Sequence, residues 1–351
     1  MKCFYACILA LRVGNSVDQP GYDERMSFLA TLIALLIEQA RPLSEDNLVH
    51  TIMRSWARMC ARTFDAGGGH HAWLSLLFAV MLPTVVVVLV HWALLFWLGS
   101  AVAMVWSVAI LYVTLGFRQF SHHFTKIRDA LETGDEAGAR ELLARWRHMD
   151  ASELPRKEVI RHVIEHSVIS AHRHVYGVLA WFSILAALGL GPAGAVFYRM
   201  AEFVARYWQP ALATRVAHVS PSLQSAAHSV WTWVDWLPAR FTALSFAVVG
   251  SFEDAIDEWR LCESRRLGQN DDVIIAATAG AVNIRLGDGL GQMPVGAAAD
   301  ADGSDDPQAR FATARTPPEL AHLAVVVGLV WRAVVLWMLL LALLTLARLL
   351  G

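Results

Sequence analysis

From Trp73 to Phe117 the chain runs for 45 residues without an Asp, Glu, Lys or Arg, and only Pro83 and His91 stand out against the apolar background. About 20 apolar residues cross a bilayer core, so the run has room for two helical crossings, Trp73–Leu98 and Ala101–Phe117, turning at Gly99-Ser100. A second strong apolar segment, Leu320–Leu350, closes the chain and carries Arg332. Weaker apolar pieces lie at Val175–Leu190, Ala195–Val204 and Val230–Gly250. Met26–Ile37 is apolar but short, closed by Glu38, Arg41 and Pro42, and reads as a re-entrant or tilted helix. No strand-period alternation and no tandem repeat is visible. The pattern predicts an all-α, polytopic integral membrane protein with about five membrane-embedded segments.

The polar stretches complete the layout. Leu43–Gly69 is amphipathic, with Arg54, Arg58 and Arg62 at helical spacing. Arg118–His174 is charged, reads as helical and holds ten Lys or Arg, whereas the Gly99-Ser100 turn holds none. The basic bias places residues 118–174 in the cytoplasm as a helical layer and the turn outside. Residues 293–318, rich in Ala, Asp, Gly and Pro, are expected to be a disordered loop. Residues 1–25 lack a clear cleavage site. They read as a non-native or disordered extension, with Met26 as the start; a short genuine N-terminal arm is the alternative.

Composition sharpens the class. Of 351 residues 56% are hydrophobic and 17% charged, below the roughly 25% charge of a soluble domain. Mean hydropathy is +0.43. The 14 tryptophans suit a protein with two lipid–water interfaces. A net charge of −2 gives no reason to expect nucleic acid as a partner. Cys3, Cys7, Cys60 and Cys262 show neither CxxC nor metal spacing, so no disulfide framework and no metal site is expected.

Candidate chemistry begins in Val230–Gly250, where Asp235 and Arg240 stand in apolar sequence around Pro238. Ionisable groups at membrane depth mark a pathway, a pair or a site. Pro238 is expected to break the backbone ladder and turn Arg240 toward a polar cavity; an Asp235–Arg240 pair is the plainer alternative. Among the histidines, 166, 172 and 174 do not share one face of an α-helix, and adjacent His122 and His123 do not co-ligate. Glu165 sits four residues after Arg161 and has a simple helical partner there.

The wording Asp235-Trp-Leu-Pro238-Ala-Arg240-Phe-Thr-Ala-Leu resembles the N/D-W-[IV]-P-A-R-L-T-A-L signature of the CobD/CbiB family, membrane proteins of cobalamin synthesis. Further pieces fall in that family's order. They are His122…Gly134-Asp135…Arg140, Arg147-His-Met-Asp150-Ala-Ser152, Val163-Ile-Glu165, Gly191-Pro-Ala-Gly194-Ala-Val-Phe-Tyr198-Arg199, and Asn270 through Ala279-Gly280-Ala-Val-Asn-Ile-Arg285-Leu-Gly287. The resemblance implies an inner (plasma) membrane protein that joins aminopropanol or its phosphate to adenosylcobyric acid, with ATP and Mg²⁺ as the implied cofactors and a corrinoid as substrate. It points to Asp150, Glu165 and Asp235 as catalytic carboxylates. It gives Arg147, Arg240, Asn270 and Arg285 as substrate-binding groups, converging on one cytoplasmic cavity. Several acidic and Asn positions of the family pattern are missing: Trp231-Thr232 replaces paired Asp, and Ile275 replaces a Glu. The first helix and the Asp-Trp form of the signature also resemble AmpE, a relative linked to β-lactamase regulation. A non-enzymatic, AmpE-like membrane regulator or partner protein that has lost the catalytic site is the alternative reading. No Walker loop is present.

Overall fold

A computed structural model describes residues 20–40, 48–65, 69–147, 149–209, 219–265, 269–287 and 315–350. The described residues are all-helical, with a single isolated bridge between Ile284 and Thr316. In chain order the helices are α1 Pro20–Ala40, α2 Leu48–Phe64, α3 Gly69–Leu98, α4 Ser100–Thr114, α5 Phe117–Glu132, α6 Glu136–Arg147 and α7 Arg156–Ala171. A π turn, His172–Tyr176, leads into α8 Gly177–Ala187. Then come α9 Ala193–Tyr207, α10 Pro221–Val249, α11 Phe252–Arg265, α12 Asn270–Val282 and α13 Leu320–Leu350. Residues 1–19 and 288–314, which hold most of the expected extension and loop, lie outside the described residues. Residues 20–25 belong to α1, and Thr316 accepts from Arg285 N at 3.0 Å.

Among the described residues two helices, His71–Leu98 and Leu320–Ala347, are long and apolar enough to cross a membrane. The turn at Gly99 falls where the sequence put it, at φ 85°, a conformation that suits glycine. The second arm of the hairpin is shorter than the apolar pattern suggests. α4 has 15 residues, about 22 Å, against a hydrocarbon core of about 30 Å. It stops because Leu115 turns extended (ψ 150°), and α5 starts at Phe117. The charged stretch from residue 118 forms α5, α6 and the polar α7, which pack on one another.

Two of the long helices, α3 and α10, survive internal prolines by one device used twice. Proline lacks an N–H, so the carbonyl four residues earlier loses its helical donor. For Pro83 that carbonyl is Ala79 O, and Trp56 Nε1 on α2 donates to it at 3.1 Å. For Pro238 it is Val234 O, and Trp181 Nε1 on α8 donates to it at 3.0 Å. Pro238 therefore does not break α10, which runs unbroken through it. The α8–α9 turn explains its glycines. Gly191 adopts φ 57° against the His91 ring, and a Cβ on Gly194 would stand 1.9 Å from Trp181 O. Trp92 Nε1 donates to Gly189 O at 2.9 Å and ties this turn to α3.

Candidate functional site

α10 carries both halves of the candidate chemistry, and they face different neighbours. Arg240 is held on one side of the helix. Its Nη1 donates to Asn270 Oδ1 at 2.7 Å and its Nη2 to Glu263 Oε1 at 2.9 Å. The guanidinium lies 4.6 Å from the centre of the Trp236 ring, one helical turn back. Asn270 is fixed in turn, because its Nδ2 donates to Thr232 O at 2.9 Å. The result is an oriented cation, its side chain 15% exposed, whose Nε–H has no hydrogen-bond partner among the described residues. Such a group recognises a carboxylate or phosphate oxygen.

Asp235 faces the opposite way, into the core, and is fully buried. Its Oδ1 accepts from His172 Nε2 and from Tyr198 OH, each at 2.8 Å. His172 Nδ1 lies 2.8 Å from Thr242 Oγ1, whose own proton goes to Pro238 O at 3.0 Å. The His172 ring thus bridges the Asp235 carboxylate and the Thr242 hydroxyl. The π turn brings His172 here. Its widened backbone interrupts the α-helical register used to compare residues 166, 172 and 174. Asp235 and Arg240 therefore do not pair with each other, as the plainer sequence reading had it.

A third group forms between α6, α7 and the end of α12. Arg147 Nη1 donates to His162 Nδ1, and that ring stands 3.5 Å from Glu165 Oε2. Glu165 Oε1 accepts from Gly287 N at 2.8 Å and lies 3.7 Å from Arg161, its expected i−4 neighbour. Arg285 is two residues from this contact, and its own Nη2 donates outward to Arg315 O at 3.4 Å. His166 packs edge-on to Trp146 at 4.4 Å. Burial, with Arg147, Arg173 and Arg206 nearby, lowers its pKa to about 3, so it is neutral. Asp150 stands apart and exposed. Its Oδ1 accepts from Ser152 N and Oγ, which hold the carboxyl below the usual range.

The seven sequence candidates are thus distributed rather than gathered in one cavity. Arg240 joins Asn270; Arg147 joins Glu165 near Arg285; Asp235 and Asp150 each stand with other partners. Sequence reasoning missed Glu263 and Trp236 as partners of Arg240, and His172, Tyr198 and Thr242 as the set around Asp235. Tyr198 had a signal in the Gly191–Arg199 motif; Glu263, inside a generally charged stretch, had none. Among the described residues no group of three His, Cys, Asp or Glu is arranged to hold a metal ion.

Among the described residues these features define a class: all-helical, with two helices long and apolar enough to cross a membrane and an arginine held by Asn270, Glu263 and Trp236 on a Trp-x-Pro-x-Arg helix. Within that class the chain belongs to the CobD/Cbib protein family, whose model matches residues 31–292. It is 32% identical over 182 residues to the cobalamin biosynthesis protein CobD of Chromobacterium violaceum, covering 52% of this chain and 55% of that one. It is 27% identical over 236 residues to the cobalamin biosynthesis protein CobD of Stutzerimonas stutzeri, covering 67% and 71%. The chain thus spans little more than half of the first relative's length. No solved structure matches.

Proposed function

We propose that this protein acts in cobalamin biosynthesis as a multi-pass protein of the bacterial inner membrane, with about five membrane-embedded segments and residues 118–174 in the cytoplasm. Its reaction is amide formation between aminopropanol, or its phosphate, and a carboxylate of adenosylcobyric acid. In an ATP-driven amide synthesis the carboxylate oxygen attacks the γ-phosphorus and ADP leaves. The amine nitrogen then attacks the acyl carbon, loses a proton and expels phosphate. The observation that carries this reading is the Arg240 cluster on the family signature. An arginine fixed by Asn270, Glu263 and Trp236, with Nε–H left over, suits either the corrin carboxylate or the transferred phosphate.

Mg²⁺ takes oxygen ligands in near-octahedral geometry. Asp150, Glu165 and Asp235 lie apart and are bonded to their own neighbours, so they do not form its site. That dispersal favours a second reading, in which the chain keeps the scaffold as a non-enzymatic, AmpE-like membrane regulator or partner protein. One experiment separates the two. The protein is expressed in a strain lacking the synthase and growth is scored on cobyric acid, with cobinamide as control. Restored growth, and an amide product by mass spectrometry from purified protein with ATP and amine, supports the enzyme. Membrane-inserted protein that restores neither supports the regulator.

A further inference from the structure

α2 is a basic segment that the Arg240 site does not use. Its sequence holds Arg54, Arg58 and Arg62 and no acidic residue. Its inner face, with Ala57, Cys60 and Ala61 buried, is clamped to α3. Trp56 Nε1 reaches Ala79 O, Ser75 Oγ donates to Cys60 O at 3.1 Å, and the Phe64 and Phe78 rings stack at 4.7 Å. These contacts hold α2 rigidly beside the first turns of a helix that is apolar from His71 onward.

The outer face has a definite chemistry. At 100° per residue, Thr51, Ser55, Arg58 and Arg62 fall within an arc of about 60°. Arg54 flanks them on one side. Ile52, 57% exposed, and Met59, 49% exposed, flank them on the other. Ser55, Arg58, Met59, Arg62 and Thr63 line a shallow notch. Arg58 is folded over it, donating to Arg54 O and to Ser55 Oγ. None of the three arginines pairs with a carboxylate among the described residues. In the charged layer, by contrast, Arg128, Arg140, Arg145, Arg156 and Arg161 each do.

We propose that this notch binds the phosphate of an anionic phospholipid headgroup, seating α2 in the headgroup layer of the bilayer that α3 crosses. Two guanidinium groups and two hydroxyls meet the phosphate oxygens, and Ile52 and Met59 enter the acyl boundary beside it. The lipid is the favoured source of the phosphate, because a site for a free anion has no use for exposed apolar side chains along its rim.

The proposal rests on α3 crossing the membrane, and carbonate extraction of membranes tests that separately. The site itself is tested on full-length protein in detergent. Binding of dioctanoyl phosphatidylglycerol, dioctanoyl phosphatidylcholine and inorganic phosphate is measured by intrinsic tryptophan fluorescence. Phosphatidylglycerol is expected to bind more tightly than either competitor. Each of Arg58→Gln and Arg62→Gln should weaken it roughly fivefold, the fold-change for about 1 kcal/mol per basic residue. Both positions face outward, so thermal unfolding should be unchanged. Equal binding of the two lipids, inorganic phosphate binding as tightly as the lipid, or full affinity in the double variant each overturns the proposal. If the chain stays in carbonate-washed membranes while these tests fail, the lipid site falls and the membrane reading stands.

Discussion

Trp181→Phe should destabilise the protein through a single backbone carbonyl. In α10 Pro238 leaves Val234 O without a helical donor, and Trp181 Nε1 fills the vacancy at 3.0 Å. Phenylalanine keeps the ring that packs at 5.0 Å against Phe197 but removes the donor. A carbonyl left unsatisfied in a buried setting costs about 1–3 kcal/mol. The decisive control is Pro238→Ala, which restores an N–H at 238 and gives Val234 O an intrahelical partner. In that background Trp181→Phe should cost only its small packing loss, leaving a coupling energy of about 1 kcal/mol or more in a double-mutant cycle. Unfolding in mixed micelles titrated with denaturing detergent reads all four proteins. An equal cost of Trp181→Phe with and without Pro238 would refute the account of how α10 tolerates its proline.

Four other outcomes follow from the site. Arg240→Ala should lower complementation or product formation by the loss of about 1.5–3 kcal/mol of charge-assisted bonding, whereas Arg128→Ala, on the exposed α5 layer, should leave it unchanged; equal losses refute the assignment. His172→Ala removes one of the two donors to the buried Asp235 carboxylate and should cost about 1.5–3 kcal/mol in the same unfolding assay. His166 has its ordinary value of 6.5 when unfolded and about 3 when folded, so the unfolded chain takes up the extra proton. The stability it contributes is whole above pH 6.5 and falls as pH drops toward 3, by at most about 1.4 kcal/mol per pH unit; His166→Gln should flatten that slope, and an unchanged slope would count against it. A topology reporter fused after Gly99 should read periplasmic and one near Gly134 cytoplasmic; the same side for both would sink the hairpin topology.

Composition and periodicity by themselves determined the helical class, the Gly99 turn, the two longest apolar helices and the charged helical layer. These are local properties: a long uncharged run or a left-handed glycine has few alternatives whatever surrounds it. The Asp235–Arg240 segment was also legible as the place to look, since two charges in apolar sequence need partners. Which partners they take was decided only in three dimensions. A π turn sends His172 to Asp235, and a tryptophan from another helix lets α10 pass straight through Pro238. Asn270 and Glu263 reach Arg240 from 30 and 23 residues away. Such pairings depend on helix rotation and packing, which no spacing within one segment encodes. For the same reason the carboxylates that look like one set along the chain are divided among three neighbourhoods in the fold.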